Sequence, residues 1–265
     1  MFCQNLLKKL GKCLLFGIID KLNIIMIIQN LLSIIFPRTC SVCGTTFYFD
    51  STKQNICNTC LDNMEKLEGL MCHKCSLPLQ DGGATCRDCK NNKEIYFDVV
   101  KSPYVYSGTV KNLIKKLKYL KRTFLAKDLA IQMAAFIIKE HIYKEIDFIV
   151  PVPINWMKKI QRGYNQADLL AKEISKIINK PIYSNALIRT KYTKPQFKLN
   201  KEKRQEHLKD AFAINKKYTD TIKCKNILLI DDVATTCATV NLCSKILKEN
   251  MSKKVIAVTF ARAIC

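Results

Sequence analysis

Acidic side chains are scarce in this 265-residue chain: 22 Asp and Glu stand against 44 Lys and Arg, for a formal net charge of +22. The shortage suits a polyanionic partner, either nucleic acid or an anionic membrane surface. A lysine-, isoleucine- and asparagine-rich coding bias with solvated lysines is the plain alternative. Long apolar runs are missing as well. The stretch CLLFGIIDKLNIIMIIQNLLSIIFP is broken by Asp20, Lys21, Asn23, Gln29 and Asn30, so it never reaches the roughly 18 uninterrupted residues of a membrane span. Its basic start (Lys8, Lys9, Lys12) leads to no small-residue cleavage site, which sets a signal peptide aside. Residues 1–36 are therefore expected to form a leader helix that docks or lies on a surface, with weak membrane-surface association as one form of it. Met26 is an alternative start. No internal repeat is present beyond paired cysteines.

Cysteine, by contrast, is abundant. Eight of the fourteen fall as four C-x-x-C pairs. Cys40, Cys43, Cys57 and Cys60 are spaced C-x2-C-x13-C-x2-C, and Cys72, Cys75, Cys86 and Cys89 are spaced C-x2-C-x10-C-x2-C. This is a metal pattern rather than a disulfide framework, and it favours a reducing, cytoplasmic setting. Two such turns offer four thiolates to one tetrahedral Zn²⁺ at about 2.3 Å. A segment this poor in core residues needs a staple of that kind to fold. Structural zinc is the expectation, with one or two ions per chain; disulfides or an iron–sulfur cluster are the alternatives. Four thiolates close the coordination shell, so no zinc catalysis is expected. Cys224 and Cys243 read as buried small hydrophobes.

Three zones follow: the leader 1–36, a double zinc ribbon at 37–95, and residues 96–265, where apolar strands alternate with amphipathic helices. That alternation predicts an α/β domain with a mainly parallel sheet flanked by helices. FDVVKSPYVY reads as strand and TVKNLIKKLKYL as helix, with Val110, Leu113, Ile114, Leu117 and Leu120 on one face. LAKDLAIQMAAFIIKEHI and NQADLLAKEISKII read as helices, and DFIVPVP as a strand. Near the end NILLIDD reads as strand, TVNLCSKILKE as helix and KKVIAVTFARA as strand.

Glycine is missing where it would be most expected. ILLIDDVATTCATV, residues 227–240, has the look of a buried strand ending in two carboxylates, then a hydroxyl-rich turn into a helix. Asp231 and Asp232 stand where open α/β sheets bind ligands and can accept hydrogen bonds from a ribose diol, directly or through a metal. The turn from Ala234 to Thr239 offers free N–H groups, the helix dipole and the hydroxyls of Thr235, Thr236 and Thr239 to a phosphate. Yet Cys237 and Ala238 occupy the positions that usually carry glycine. A strand–turn–helix with a threonine cap is the alternative. A second feature is cationic surface. KNLIKKLKYLKR puts Lys111, Lys115, Lys118 and Arg122 on or near one helix face, with Tyr104, Tyr106, Tyr119 and Phe124 close in sequence. Charge for the backbone and rings for the bases are what a single-strand groove uses; a solvated lysine face is the alternative. KYTKPQFKLNKEKRQEHLK, residues 191–209, is a second cationic stretch.

The turn LLIDDVATTCATV resembles the PRPP (phosphoribosyl pyrophosphate) loop of type I phosphoribosyltransferases. PVPINWMKKIQRGYNQADLLA, LIRTKYTKPQFKLNKEKR, LIKKLKY and SIIFPRTCSVCG are similar, in the right order, to segments of the ComF family of competence-associated, phosphoribosyltransferase-like proteins. The resemblance covers nearly the whole chain from about residue 30. It implies a phosphoribosyltransferase-like fold with an N-terminal zinc ribbon, and handling of single-stranded DNA during natural transformation. DNA-uptake helicase and processing proteins are the partners it implies. It further implies that Asp231 and Asp232 take ribose hydroxyls, and that Thr235, Thr236, Cys237, Ala238 and Thr239 wrap the 5′-phosphate. Val152, Pro153 and Ile154 would form the pyrophosphate loop, with Lys158 and Arg162 as its cations. An active transferase using PRPP with Mg²⁺ on a nitrogen base is the competing reading. Cys237 for glycine, and His207 where the family often has asparagine, count against turnover more than against fold.

Overall fold

The computed structural model describes residues 38–47, 54–79, 82–92, 94–190 and 211–264. The expected leader, the cationic stretch 191–209 and His207 lie outside these residues. Contacts divide the chain into two compact units, Met1–Cys60 and Leu61–Cys265. In the first, β1 (Arg38–Thr39) pairs antiparallel with β2 (Thr46–Phe47), and α1 (Asn58–Asp62) carries Cys60 into a buried position.

The larger unit opens with α2 (Arg87–Asn91), which follows Cys86. Its sheet is built from β3 (Val99–Lys101) and β4 (Tyr104–Val105). Helices α3 (Gly108–Tyr119), α4 (Leu125–Lys139) and α5 (Ile142–Glu145) lead to β5 (Phe148–Pro151). Then come α6 (Trp156–Arg162), α7 (Gln166–Ile178), β6 (Leu187–Arg189) and β7 (Phe212–Ile214). A 3-10 turn at Lys216–Tyr218 and α8 (Thr219–Ile222) precede β8 (Asn226–Ala234), α9 (Ala238–Glu249) and β9 (Lys254–Arg262). The sheet runs β3–β9–β8–β5 with β4 also on β9, and every pairing in it is parallel. The α/β class read from the alternation of elements is what the structure has. β6 and β7 form a separate antiparallel pair.

A central parallel strand is covered on both faces and so needs an unbroken apolar run. β8 supplies Ile227 to Ile230 and β9 supplies Val255 to Val258, all essentially buried. Alternate side chains divide between two layers. Ile227, Leu229, Val255, Ala257, Phe148 and Val150 share a core with Val240, Cys243 and Leu247 of α9. On the opposite face α4 and α7 pack on each other, with α7 also against β5 and β8 and α4 against β9. The second cysteine group belongs to this unit: Cys72, Cys75 and Cys86 are buried in the same core as Phe97, Val100 and Cys237.

Three local expectations need correction. FDVVKSPYVY is two short strands, because Pro103 has no N–H for the ladder; Ser102 fills the break with a 2.7 Å hydroxyl contact to Thr259. Leu120 is 60% exposed rather than buried, because α3 ends at Tyr119 and its next residue leaves the helical face. Cys224 is exposed, at a left-handed φ of 58° in a turn, whereas Cys243 is fully buried as expected.

Candidate functional site

The register of β5 on β8 sets Pro151 beside Ile230. The loop after β5 and the carboxylates at the end of β8 therefore emerge side by side. The Val152 N–H donates to the Ile230 carbonyl at 2.9 Å, and Asn165 Nδ2 donates to the Val152 carbonyl at 3.0 Å. Val152 is buried, Pro153 and Ile154 are half-buried, and Lys158 is exposed on α6.

Asp232 is buried and already in use. Lys118 Nζ reaches its Oδ2 at 2.8 Å, and Gln166 Nε2 donates to the same oxygen at 3.4 Å. Burial pushes the Lys118 ammonium down, but the Asp232 charge overrides it and holds the pKa above the ordinary value. The structure thus places Lys118 in the cradle, while Lys111 and Lys115 stay on the exposed face of α3 with Arg122 just beyond it. Asp231 is half-buried, and its Oδ1 accepts the Asp232 N–H at 2.8 Å. Burial and then the neighbouring Asp232 charge push its pKa up to about 8.

β8 runs two residues past the carboxylates, to Ala234, before the chain turns into α9. Thr235, Thr236, Ala238 and Thr239 are exposed, and Cys237 is buried. Cys237 holds φ 59° and ψ 8°, in the left-handed region. A β-carbon there costs on the order of 1 kcal/mol, which is why glycine is the usual choice. The position demands the conformation whatever residue fills it; here the thiol packs inward. Thr236 Oγ1 accepts from the Ala238 N–H at 3.4 Å. Thr235, Thr236 and Thr239 are thus exposed around the N-terminus of a 12-residue helix, the end that carries the positive side of its dipole.

The segment RGYNQ, residues 162–166, brackets the cradle residue by residue. Buried Arg162 lies 5.0 Å over the Tyr119 ring, so it is packed against α3 rather than open toward a pyrophosphate. Gly163 takes φ 86° and ends α6. The Tyr164 hydroxyl donates to the Leu117 carbonyl. Asn165 caps α7 through the Ala167 N–H, and Gln166 reaches Asp232. Sequence reasoning missed Asn165, Gln166 and the cradle role of Lys118, because the Val152 carbonyl and the Asp232 carboxylate that they reach lie 13 to 114 positions away. It also missed Arg262, a lone arginine in a strand with no motif around it.

The two cysteine groups are assembled. In each, the four sulfurs lie within 4.8 Å of one another. Thiolates at about 2.3 Å from a tetrahedral Zn²⁺ stand about 3.8 Å apart; Cys43 and Cys57 sulfurs are 3.8 Å apart and those of Cys75 and Cys86 3.6 Å. All eight are free of disulfides. Cys40 Sγ accepts the N–H groups of Val42 and Cys57, each at 3.4 Å, as a metal thiolate does. Hydrogen bonding with Thr45 lowers Cys43 to about 6, while burial and adjacent sulfurs push Cys60 up. Gathered thiols that resist sharing charge are relieved by a divalent cation. The donor sets fit structural zinc.

Residues 31–90 match the model of the double zinc ribbon domain. The chain is 28% identical over 200 residues to Competence protein F of Haemophilus influenzae, covering 74% of this chain and 86% of that protein. It is 26% identical over 229 residues to Competence protein ComFC of Bacillus subtilis, covering 79% and 88%. To the DNA utilization protein YhgH of Escherichia coli it is 26% identical over 198 residues, covering 74% and 85%. Among solved structures, a purine phosphoribosyltransferase from Pyrococcus horikoshii overlaps 51% of this chain and 73% of its own, at 15% identity and a TM-score of 0.32. The B. subtilis glutamine PRPP amidotransferase overlaps 50% and 25%, at 14% identity and a TM-score of 0.34.

Proposed function

We propose that this chain, a homologue of Competence protein F, ComFC and YhgH with a double zinc ribbon, handles single-stranded DNA in competence or DNA utilisation. The observation that carries this reading is relatives named for those processes across about three quarters of the chain. A cationic, partly aromatic surface at the end of α3 supports it. Lys111, Lys115, Lys121 and Arg122 are exposed there with Tyr119, Phe124 and Leu120. Arg122 lies 5.7 Å over the Phe124 ring, an arrangement able to take both a phosphate and a base. α6 adds exposed Trp156, Met157, Lys158, Lys159 and Ile160.

Binding to single strands should be indifferent to sequence and fall steeply with salt. On a single strand the log–log slope is about −0.7 per phosphate neutralised. Reversing Lys111, Lys115 and Arg122 to glutamate should flatten that slope by about 2 and weaken all sequences alike. Phe124→Ala should cost about 1–3 kcal/mol without changing the slope. An affinity unchanged in the triple variant would move the contact off α3. Lys118 is left out of this set because it is engaged with Asp232.

A second reading concerns the strand-end turn, and the left-handed Cys237 with outward hydroxyls favours it. The turn binds PRPP or a nucleoside 5′-phosphate, with Mg²⁺ where pyrophosphate is present. Asp231 faces the diol, and Thr235, Thr236 and Thr239 face the phosphate. Calorimetry with and without Mg²⁺ tests it, and Cys237→Gly should bind as well as or better than the natural chain, since glycine takes φ 59° without cost. Weaker binding by that variant would show that the thiol itself shapes the site. Transferase turnover is the alternative use of the same turn; binding with no pyrophosphate released over a panel of bases would set it aside.

A further inference from the structure

Arg262 ends the last strand with its side chain 5% exposed, and among the described residues it forms no ion pair with a carboxylate. An uncompensated guanidinium at that depth is costly. Its hydrogen bonds go in two directions. Nη1 donates to the Ala234 carbonyl at 3.1 Å, to the Thr235 carbonyl, and to its neighbour Ala263 at 3.1 Å. Nε donates to the Cys75 carbonyl at 3.0 Å, and Nη2 approaches Cys75 Sγ at 3.8 Å. One rigid fork thus joins the start of the ligand turn to a ligand of the second four-cysteine group. Cys237, the left-handed residue of that turn, is buried in the same core as Cys72, Cys75 and Cys86.

We infer that Arg262 is the positioning residue of the Ala234–Thr239 turn, anchoring it to the second four-cysteine centre so that metal there fixes the turn's shape. Zn²⁺ with four thiolates carries a net charge of −2, which is the counter-charge the buried guanidinium lacks. The guanidinium in turn offers a charge-assisted hydrogen bond to a thiolate and screens it. Planarity matters: a fork with donors on three nitrogens can hold Cys75, Ala234 and Thr235 at once, and a lysine ammonium cannot. The two cysteine groups then differ in kind. The first organises its own unit, and the second is part of the wall behind the turn. What the turn binds rests on the proposed function; its anchoring does not.

The test uses the full chain labelled with ¹⁵N, following bound zinc, the rate of zinc transfer to a chromogenic chelator, and the amide resonances of Ala234 to Thr239. The natural chain should hold two zinc ions. Cys43→Ser should lose one ion and leave the turn resonances in place. Cys89→Ser should also lose one ion but displace or broaden them. Arg262→Met should quicken one of the two zinc-release phases by roughly 10–100-fold, the usual effect of losing a ligand's outer partner, and shift the turn. Arg262→Lys should keep the charge yet still shift the turn. Unmoved turn resonances in Cys89→Ser overturn the inference, even if Arg262→Met does not fold. So do two natural zinc-release phases in Arg262→Met, or turn resonances in Arg262→Lys that match the natural chain. Failure of the natural chain to bind PRPP would leave all these readouts standing and sink only the ligand reading.

Discussion

Lys118→Met is expected to destabilise the larger unit by about 3–5 kcal/mol at pH 7–8, the usual cost of leaving one member of a buried ion pair without its partner. Lys118 and Asp232 are 2.8 Å apart with side chains only 20% and 7% exposed, and the remaining contact to that carboxylate oxygen, from Gln166, is a neutral donor at 3.4 Å. Methionine matches the lysine stem in length, so the packing of α3 against α4 survives and the loss is electrostatic. A double variant separates this from a packing defect. Adding Asp232→Asn should recover most of the loss, since a buried pair removed from both sides is often close to neutral. Additive single changes would show that the ammonium does not compensate Asp232.

This pair also marks the boundary of what could be read from the sequence. Apolar runs made the sheet legible: Ile227 to Ile230 and Val255 to Val258 read as buried strands, and the C-x-x-C spacing announced structural zinc while leaving the count of ions and the pairing of the turns open. Asp231 and Asp232 at a strand end were visible for the same reason. Lys118 was not, because a helix period says which residues share a face and nothing about what that face meets. Lys111, Lys115 and Lys118 look alike in the sequence; only the ion pair with Asp232 draws one of them inward. Arg262 was hidden still more completely, since its partners are carbonyls, which every residue has. Cys237 was read as a departure from glycine, and the backbone angle gives the reason: the turn requires the left-handed conformation, and a small inward-packing side chain can be forced into it.

Asp231→Asn should raise stability while weakening whatever the cradle binds. Burial and the Asp232 charge lift the Asp231 pKa from the ordinary 3.8 to about 8 in the folded protein. The folded state therefore holds a proton that the unfolded chain has released, and between about pH 4 and pH 8 every unit of pH works against folding. Asparagine does not ionise, and its Oδ1 can still accept the Asp232 N–H that now bonds to Asp231 at 2.8 Å. The variant should match the natural chain near pH 4 and pull ahead as pH rises. By pH 7.5 the gain should be on the order of 5 kcal/mol, or about 10–20 °C in melting temperature for a unit of this size. Ligand binding should move the other way. A diol or a cation that needs the Asp231 carboxylate must expel this proton, so natural-chain affinity should climb from pH 6 to about pH 8.5 and then level off, with proton release seen as a buffer-dependent heat in calorimetry. Asp231→Asn should bind more weakly and lose that climb. A variant whose advantage does not grow with pH would place the Asp231 pKa near that of a solvated carboxylate, and the cradle would then carry two anions held by Lys118 alone.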